Sequence, residues 1–215
     1  MSGQGGIAAD VRFAAATCQY GRRTAVAAVD LHVAAGEHVA LTGANGSGKT
    51  TLLRAALGLH PLASGTVSVG GLVPRAAADW AARRRQVAWV PQRLAPGRFP
   101  LLVDELLESG GHWDAAQDAA ARLGVAGLGP RPLQTLSGGQ LQRVFLARAL
   151  GAVAAGAQAL FADEPTAALD FDGQDQVATI LARLPVTVIV VSHDRAMSHA
   201  CDRVAEMAAG RLRVI

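Results

Sequence analysis

The stretch Thr42–Leu53, TGANGSGKTTLL, decides how the rest of the chain is read. Before it runs HVALTG, an apolar segment with the look of a strand. After it, KTTLLRAALGL has helical spacing and stops near Gly58 and Pro61. Within it GANGSGKT, Gly43 to Thr50, fits GxxxxGK[ST] in the strand, loop and helix setting of a phosphate loop. Glycines let the backbone wrap close to phosphate oxygens, and the amides of the loop and helix start point at them. Gly43, Ala44, Asn45, Gly46, Ser47, Gly48, Lys49, Thr50 and Thr51 are therefore expected to cradle a nucleotide. Lys49 serves the terminal phosphates and the Thr50 hydroxyl is placed to ligate magnesium. Lys49 is also the only lysine among 20 basic side chains. Inside a loop that already surrounds the phosphates, a slim ammonium fits where a broad guanidinium crowds.

Outward from this point the chain is strand-rich, then alternates strand and helix. AVDLHVAAGEHVALTG reads as two strands with a turn at Gly36, GTVSVGG as a short strand, and RQVAWVPQ as a strand ending in Pro91-Gln92. From Gln92 to Leu136 the character changes. Pro96, Gly97 and Pro100 make a loop, and LLVDELLESG and DAAQDAAARLG read as helices. LSGGQLQRVFLARALGAV continues with Leu141, Val144, Phe145 and Ala149 on one side of a helix. The expectation is a single domain, 1–215, with an inserted helical lobe at about 93–150. Beyond it QALFADEP and VTVIVVSHD are fully apolar strands flanking an amphipathic helix, GQDQVATILARL. Such alternation implies an α/β fold with a mainly parallel core sheet covered on both faces. Ligands bind such sheets at the carboxyl ends of the strands, where Gly43, Asp163 and His193 fall.

ALFADE supplies a second element of chemistry. Asp163 can hold magnesium, directly or through water, and Glu164 can reach a water in line with the terminal phosphate, which points to nucleotide hydrolysis. Guanine recognition through Asn-Lys-x-Asp is excluded, because the only lysine is already in the phosphate loop. LSGGQLQR, Leu136 to Arg143, opens a helix on Ser137, Gly138 and Gly139, a second anion-binding helix start far from the first.

With Lys49, Gln92, LSGGQ, Asp163 and His193 in this order, the chain resembles an ATP-binding cassette ATPase over nearly its whole length. The resemblance implies a phosphate-loop NTPase with an N-terminal antiparallel β subdomain and an inserted α-helical subdomain, using ATP and magnesium. It implies that Tyr20, the sole tyrosine, stacks on adenine, and that Gln92 touches magnesium and the attacking water. His193 would act on the terminal phosphate, making Glu164, His193, Lys49 and Gln92 the catalytic set. Ser137, Gly138, Gly139, Gln140 and Asp170 would contact the ATP held by a second, head-to-tail copy. It further implies docking on integral membrane permease subunits at the cytoplasmic face of the membrane, through the lobe after Gln92, with an extracytoplasmic solute-binding protein in the same system. VPQR, FPLLVDELLESGG and DFDGQ are similar to importers of zinc, manganese and other metal ions. EPTAALD departs from the family at Ala167, where serine is common. The short carboxyl end predicts no appended regulatory module.

Composition sets the remaining bounds. A net charge of +3 with a pI near 9.5 suits a phosphate ligand or an anionic membrane surface and falls short of a nucleic-acid footprint. No nucleic-acid partner is expected. Arg83-Arg84-Arg85 reads as a solvated helix end. Cys18 and Cys201 have no CxxC partner and suit a reducing compartment. His199, Cys201 and Asp202 follow His193 without zinc spacing, and His32, His38, His60 and His112 read as structural or exposed. The N-terminus has no secretory signal, and the longest uncharged apolar stretch, Ala149 to Ala162, is shorter than the roughly 20 residues a bilayer span needs. The competing readings are an exporter or lipoprotein-release ATPase, and a soluble cassette ATPase acting on nucleic acid or the ribosome.

Overall fold

Three short segments are buried at almost every position: β3 (His38–Thr42), β6 (Ala159–Asp163) and β7 (Thr187–Val191). Strands buried on both faces must lie inside a covered sheet. In the computed structural model, which describes residues 8–92 and 100–214, they are its centre. The sheet runs β5-β6-β7-β3-β8-β9, where β5 is Val87–Val90, β8 is Arg203–Ala208 and β9 is Arg211–Val214. All neighbours are parallel except the terminal β8–β9 pair. The sequence reading had singled out no strand in that tail, whose alternation is short and mixed with charge. A separate antiparallel sheet, β2-β1-β4, is built from β1 (Val11–Tyr20), β2 (Arg23–Val33) and β4 (Ser64–Val69). The fold is the expected phosphate-loop α/β architecture with its N-terminal antiparallel sheet. The loop expected at Pro96 and Gly97, and positions 1–7 at the N-terminus, lie outside the described residues.

The two-residue period of each central strand divides its side chains between two cores. Val39, Leu41, Phe161, Ile189 and Val191 face one cluster with β1, β4 and α1 (Lys49–Ala56). Ala40, Leu160, Ala162, Val188 and Val190 face the other, shared with α3 (Val103–Glu108), α4 (Trp113–Arg122), α5 (Gly138–Ala154) and α6 (Phe171–Ala182). Small residues set how closely the helices approach. Ala116, Ala119 and Ala120 of α4 are fully buried, and a methyl added at Gly151 of α5 would stand 2.8 Å from the Ala116 Cβ. The longest apolar stretch is divided between the end of α5 and β6. Among the described residues no helix is long and apolar enough to cross a membrane.

The arginine run departs from expectation. It lies in the last turn of α2 (Ala77–Gln86), and Arg84 and Arg85 are exposed, but Arg83 is completely buried. Its guanidinium donates to the carbonyls of Ala56 (2.8 Å), Val67 (3.3 Å) and Leu72 (2.5 Å). Burial pushes its pKa down to about 10. The Ala56 carbonyl ends α1 and has no amide a turn later to pair it. Arg83 thus ties the phosphate-loop helix to β4 and to the turn beyond it. Nothing in a triplet of identical residues tells which one points inward.

Arg83→Ala removes three hydrogen bonds, leaves the Ala56 carbonyl without a partner and opens a cavity, so a loss of about 3 kcal/mol is expected by urea denaturation. Arg84→Ala, one residue on and exposed, should change stability by less than about 0.5 kcal/mol.

Candidate nucleotide site

Four neighbouring strands, β5, β6, β7 and β3, end on the same side of the sheet and deliver the candidate residues in spatial order. Gln92 follows β5, Asp163 closes β6 with Glu164 next, His193 follows β7, and Gly43 leaves β3. Two glycines of the loop are required by space. Gly43 has φ +128° and Gly48 φ +108°, and a Cβ would collide with the Met207 carbonyl at the first and the Ala25 carbonyl at the second. Tyr20, Arg23, Ala25, Asn45, Gly46, Gly48, Lys49, Thr50, Thr51, Gln92, Asp163 and Glu164 line one cleft of about 420 Å3. That volume is in the range of a nucleotide-sized ligand site.

The charges in this cleft are held in poor solvation. Lys49 is 6% exposed, and its Nζ donates to the Gly43 and Ala44 carbonyls at 2.5 and 3.0 Å. Burial lowers its pKa, with the Glu164 and Asp163 charges opposing the shift. Asp163 is 1% exposed, and burial raises its carboxyl above the ordinary value while the Thr50 hydroxyl and Lys49 pull it back. Neither carboxylate oxygen makes a well-formed hydrogen bond among the described residues. A buried carboxylate with free lone pairs beside a threonine hydroxyl is an oxygen donor set suited to a hard divalent cation.

Glu164 leaves β6 with φ +51°, a strained region for a non-glycine residue, while its amide donates to the Val191 carbonyl at 2.8 Å. Burial raises its pKa, and His193 lowers it in part. His193 Nε2 lies 3.3 Å from Glu164 Oε1, so the two residues singled out from separate strands are in direct contact. Such a pair combines a carboxylate able to accept a water's proton with a donor able to face an anion.

The LSGGQ segment lies elsewhere. Ser137 caps α5 by accepting from the Gln140 amide (3.2 Å), and Gln140 Oε1 accepts from the Ser137 amide (3.1 Å). The amides of Gly138 and Gly139 have no carbonyl a turn earlier to take them. Ser137, Gly139, Gln140, Arg143 and Asp170 line a second cleft that shares no residue with the first. Asp170 caps α6 through the Gly173 amide and lies 3.5 Å from Arg143.

Sequence reasoning passed over Arg23 at the mouth of the first cleft and His60, whose ring meets Tyr20. The pair of arginines after Tyr20-Gly21 was a usable signal for the first; the second had none. Asp202, considered with His199 and Cys201, instead accepts the His38 amide at 2.8 Å.

A family model described as ABC transporter matches residues 26–167. The chain belongs to that family. This ABC ATPase is 41% identical over 209 residues to a hemin import ATP-binding protein of Streptomyces coelicolor, covering 89% of this chain and 72% of the relative. It is 39% identical over 191 residues to a zinc import ATP-binding protein of Ruegeria pomeroyi, covering 85% and 68%. A dimeric cassette in a post-hydrolysis state, bound to ADP and phosphate, superposes with a TM-score of 0.85 at 25% identity over 95% of this chain and 97% of that one. The chain is an enzyme that hydrolyses ATP.

The raised Asp163 pKa has a measurable sign. The folded chain holds this proton more tightly than the unfolded chain, so stability falls as pH rises from 3.8 through the raised value, and the full cost is present above it. Without nucleotide and with a chelator present, Asp163→Asn should raise Tm at pH 7. The gain should shrink toward zero as the pH approaches 3.8.

Proposed function

We propose that this ABC ATPase powers a membrane importer as a head-to-tail pair, and that its cargo is a metal ion such as zinc or manganese. The observation that carries the pairing is the separation of the two clefts. One triphosphate carries more charge than one helix start balances, yet the α1 and α5 starts lie in clefts with no residue in common. A second copy, reversed, brings its Ser137, Gly138, Gly139, Gln140 and Asp170 over the ATP held by Lys49, Thr50 and Thr51, with Tyr20 against the base. Thr50, Asp163 and Gln92 would hold magnesium, which when bound neutralises charge on the phosphate oxygens. Glu164 orients and polarises the water, and His193 and Lys49 stabilise charge on the phosphoryl group. Loss of that group releases the two halves.

The apolar groove between β5 and the ends of α3 and α5, lined by Leu59, Trp89, Ser109 and Arg148, is where we place the permease, with the chain held at the cytoplasmic face of the membrane. The importer reading rests on relatives described as import proteins for zinc, hemin and ferric ions, and as a manganese transport protein. FPLLVDELLESGG and DFDGQ favour the zinc and manganese group. An extracytoplasmic solute-binding protein would complete the system.

Glu164→Gln should bind ATP while turnover falls by at least about 100-fold, leaving a nucleotide-bound dimer on size exclusion; normal turnover would remove Glu164 from its role. Ser137→Arg should leave monomer ATP affinity intact and prevent that dimer. For the cargo, a strain lacking this chain should accumulate less zinc or manganese by elemental analysis. Unchanged metal uptake with lost growth on hemin would reassign the substrate.

A further inference from the structure

Tyr20 is 51% exposed at the end of β1, a position from which a lone ring could adopt several orientations. Two contacts restrict it. Its hydroxyl lies 3.5 Å from Thr51 Oγ1 on the phosphate-loop helix, and its ring lies 4.5 Å from the His60 ring, centroid to centroid, at an interplanar angle of 41°. Tilted pairs at this separation are attractive.

His60 is itself firmly placed. Pro61 restricts its backbone to extended conformations. On one side the Leu59 amide donates to the Arg54 carbonyl (2.8 Å), and on the other the Ala63 amide donates to Thr17 of β1 (2.8 Å), the strand that carries Tyr20. Leu62 packs against the core between them. His60 Nε2 is covered and has no hydrogen-bond partner among the described residues. A ring nitrogen left without a bond is a poor choice for a residue whose purpose is to knit the loop. What the imidazole does offer is its ring, set against Tyr20.

We propose that His60 is a positioning residue for the base of the nucleotide. It holds the Tyr20 ring at the mouth of the cleft, so that the purine meets a platform already ordered and binding does not have to immobilise a free side chain. Thr51 fixes the same ring to the helix that receives the phosphates, so base and phosphate ends of the site share one rigid frame. The inference rests on the reading of Tyr20 as the base platform.

The test is titration calorimetry of the full chain with ATP and, separately, with tripolyphosphate, which carries phosphate charge without a base. His60→Ala weakens ATP binding by about three- to tenfold and leaves tripolyphosphate binding unchanged. His60→Phe, which keeps a ring, restores ATP affinity to within about twofold. In a Tyr20→Ala background His60→Ala has no further effect, because the ring it holds is gone. Additive losses in the double variant, or an equal loss for tripolyphosphate, overturn the inference. Full ATP affinity in Tyr20→Ala removes the platform reading and the inference together. A weakened Tyr20→Ala beside an unaffected His60→Ala removes the inference alone.

Discussion

Two carboxylates and one ammonium share a cleft too dry to solvate any of them well. Burial raises the pKa values of Asp163 and Glu164 and lowers that of Lys49, and their mutual attraction only partly offsets the loss of water. Such a cluster is costly in itself and becomes favourable when a polyanion and a hard cation complete it. The rest of the fold can be understood as what keeps these groups together. Strands buried on both faces leave no freedom to move Asp163 away, and glycine at 43 and 48 lets the loop take a path on which any Cβ would strike the Met207 and Ala25 carbonyls.

In the proposed head-to-tail pair a single copy makes half a site, and the same cluster supplies the reason. The α1 start and Lys49 meet phosphate charge from one side only, while the α5 start, with its reciprocal Ser137–Gln140 cap, lies in another cleft. On the proposed pairing, dimerisation and hydrolysis are one electrostatic problem. In that pair the cage would close while the triphosphate supplies the charge that both helix starts share, and would loosen when that charge is divided.

Much of this was legible in the linear chain because the parts are local. A phosphate loop is a strand end, a turn and a helix start within a dozen residues, and LSGGQ is a cap and a first helical turn. Fully apolar runs such as VTVIVV announce buried strands by composition alone. Other features were not legible, because they depend on what faces what. Arg83, Arg84 and Arg85 are identical in sequence, and only the carbonyls of Ala56, Val67 and Leu72 converging on one side chain make the first of them a buried clamp. His60 looked like one of several scattered histidines until the loop folded back along β1. The β8–β9 hairpin was missed because its pairing, not its composition, makes it a strand pair.

The sequence by itself determined the chemical inventory: one lysine in a glycine cage, two acids after an apolar strand, and a second helix start with small residues. Covalent order fixes such elements, and each carries its own local geometry. Only the tertiary structure decided which of them meet. The strand order β5-β6-β7-β3 brings His193 to Glu164 and Asp163 to Thr50, although the chain separates them widely, and it leaves LSGGQ in a cleft of its own. That choice belongs to sheet pairing and core packing, which act across the whole chain and leave no mark at any single position.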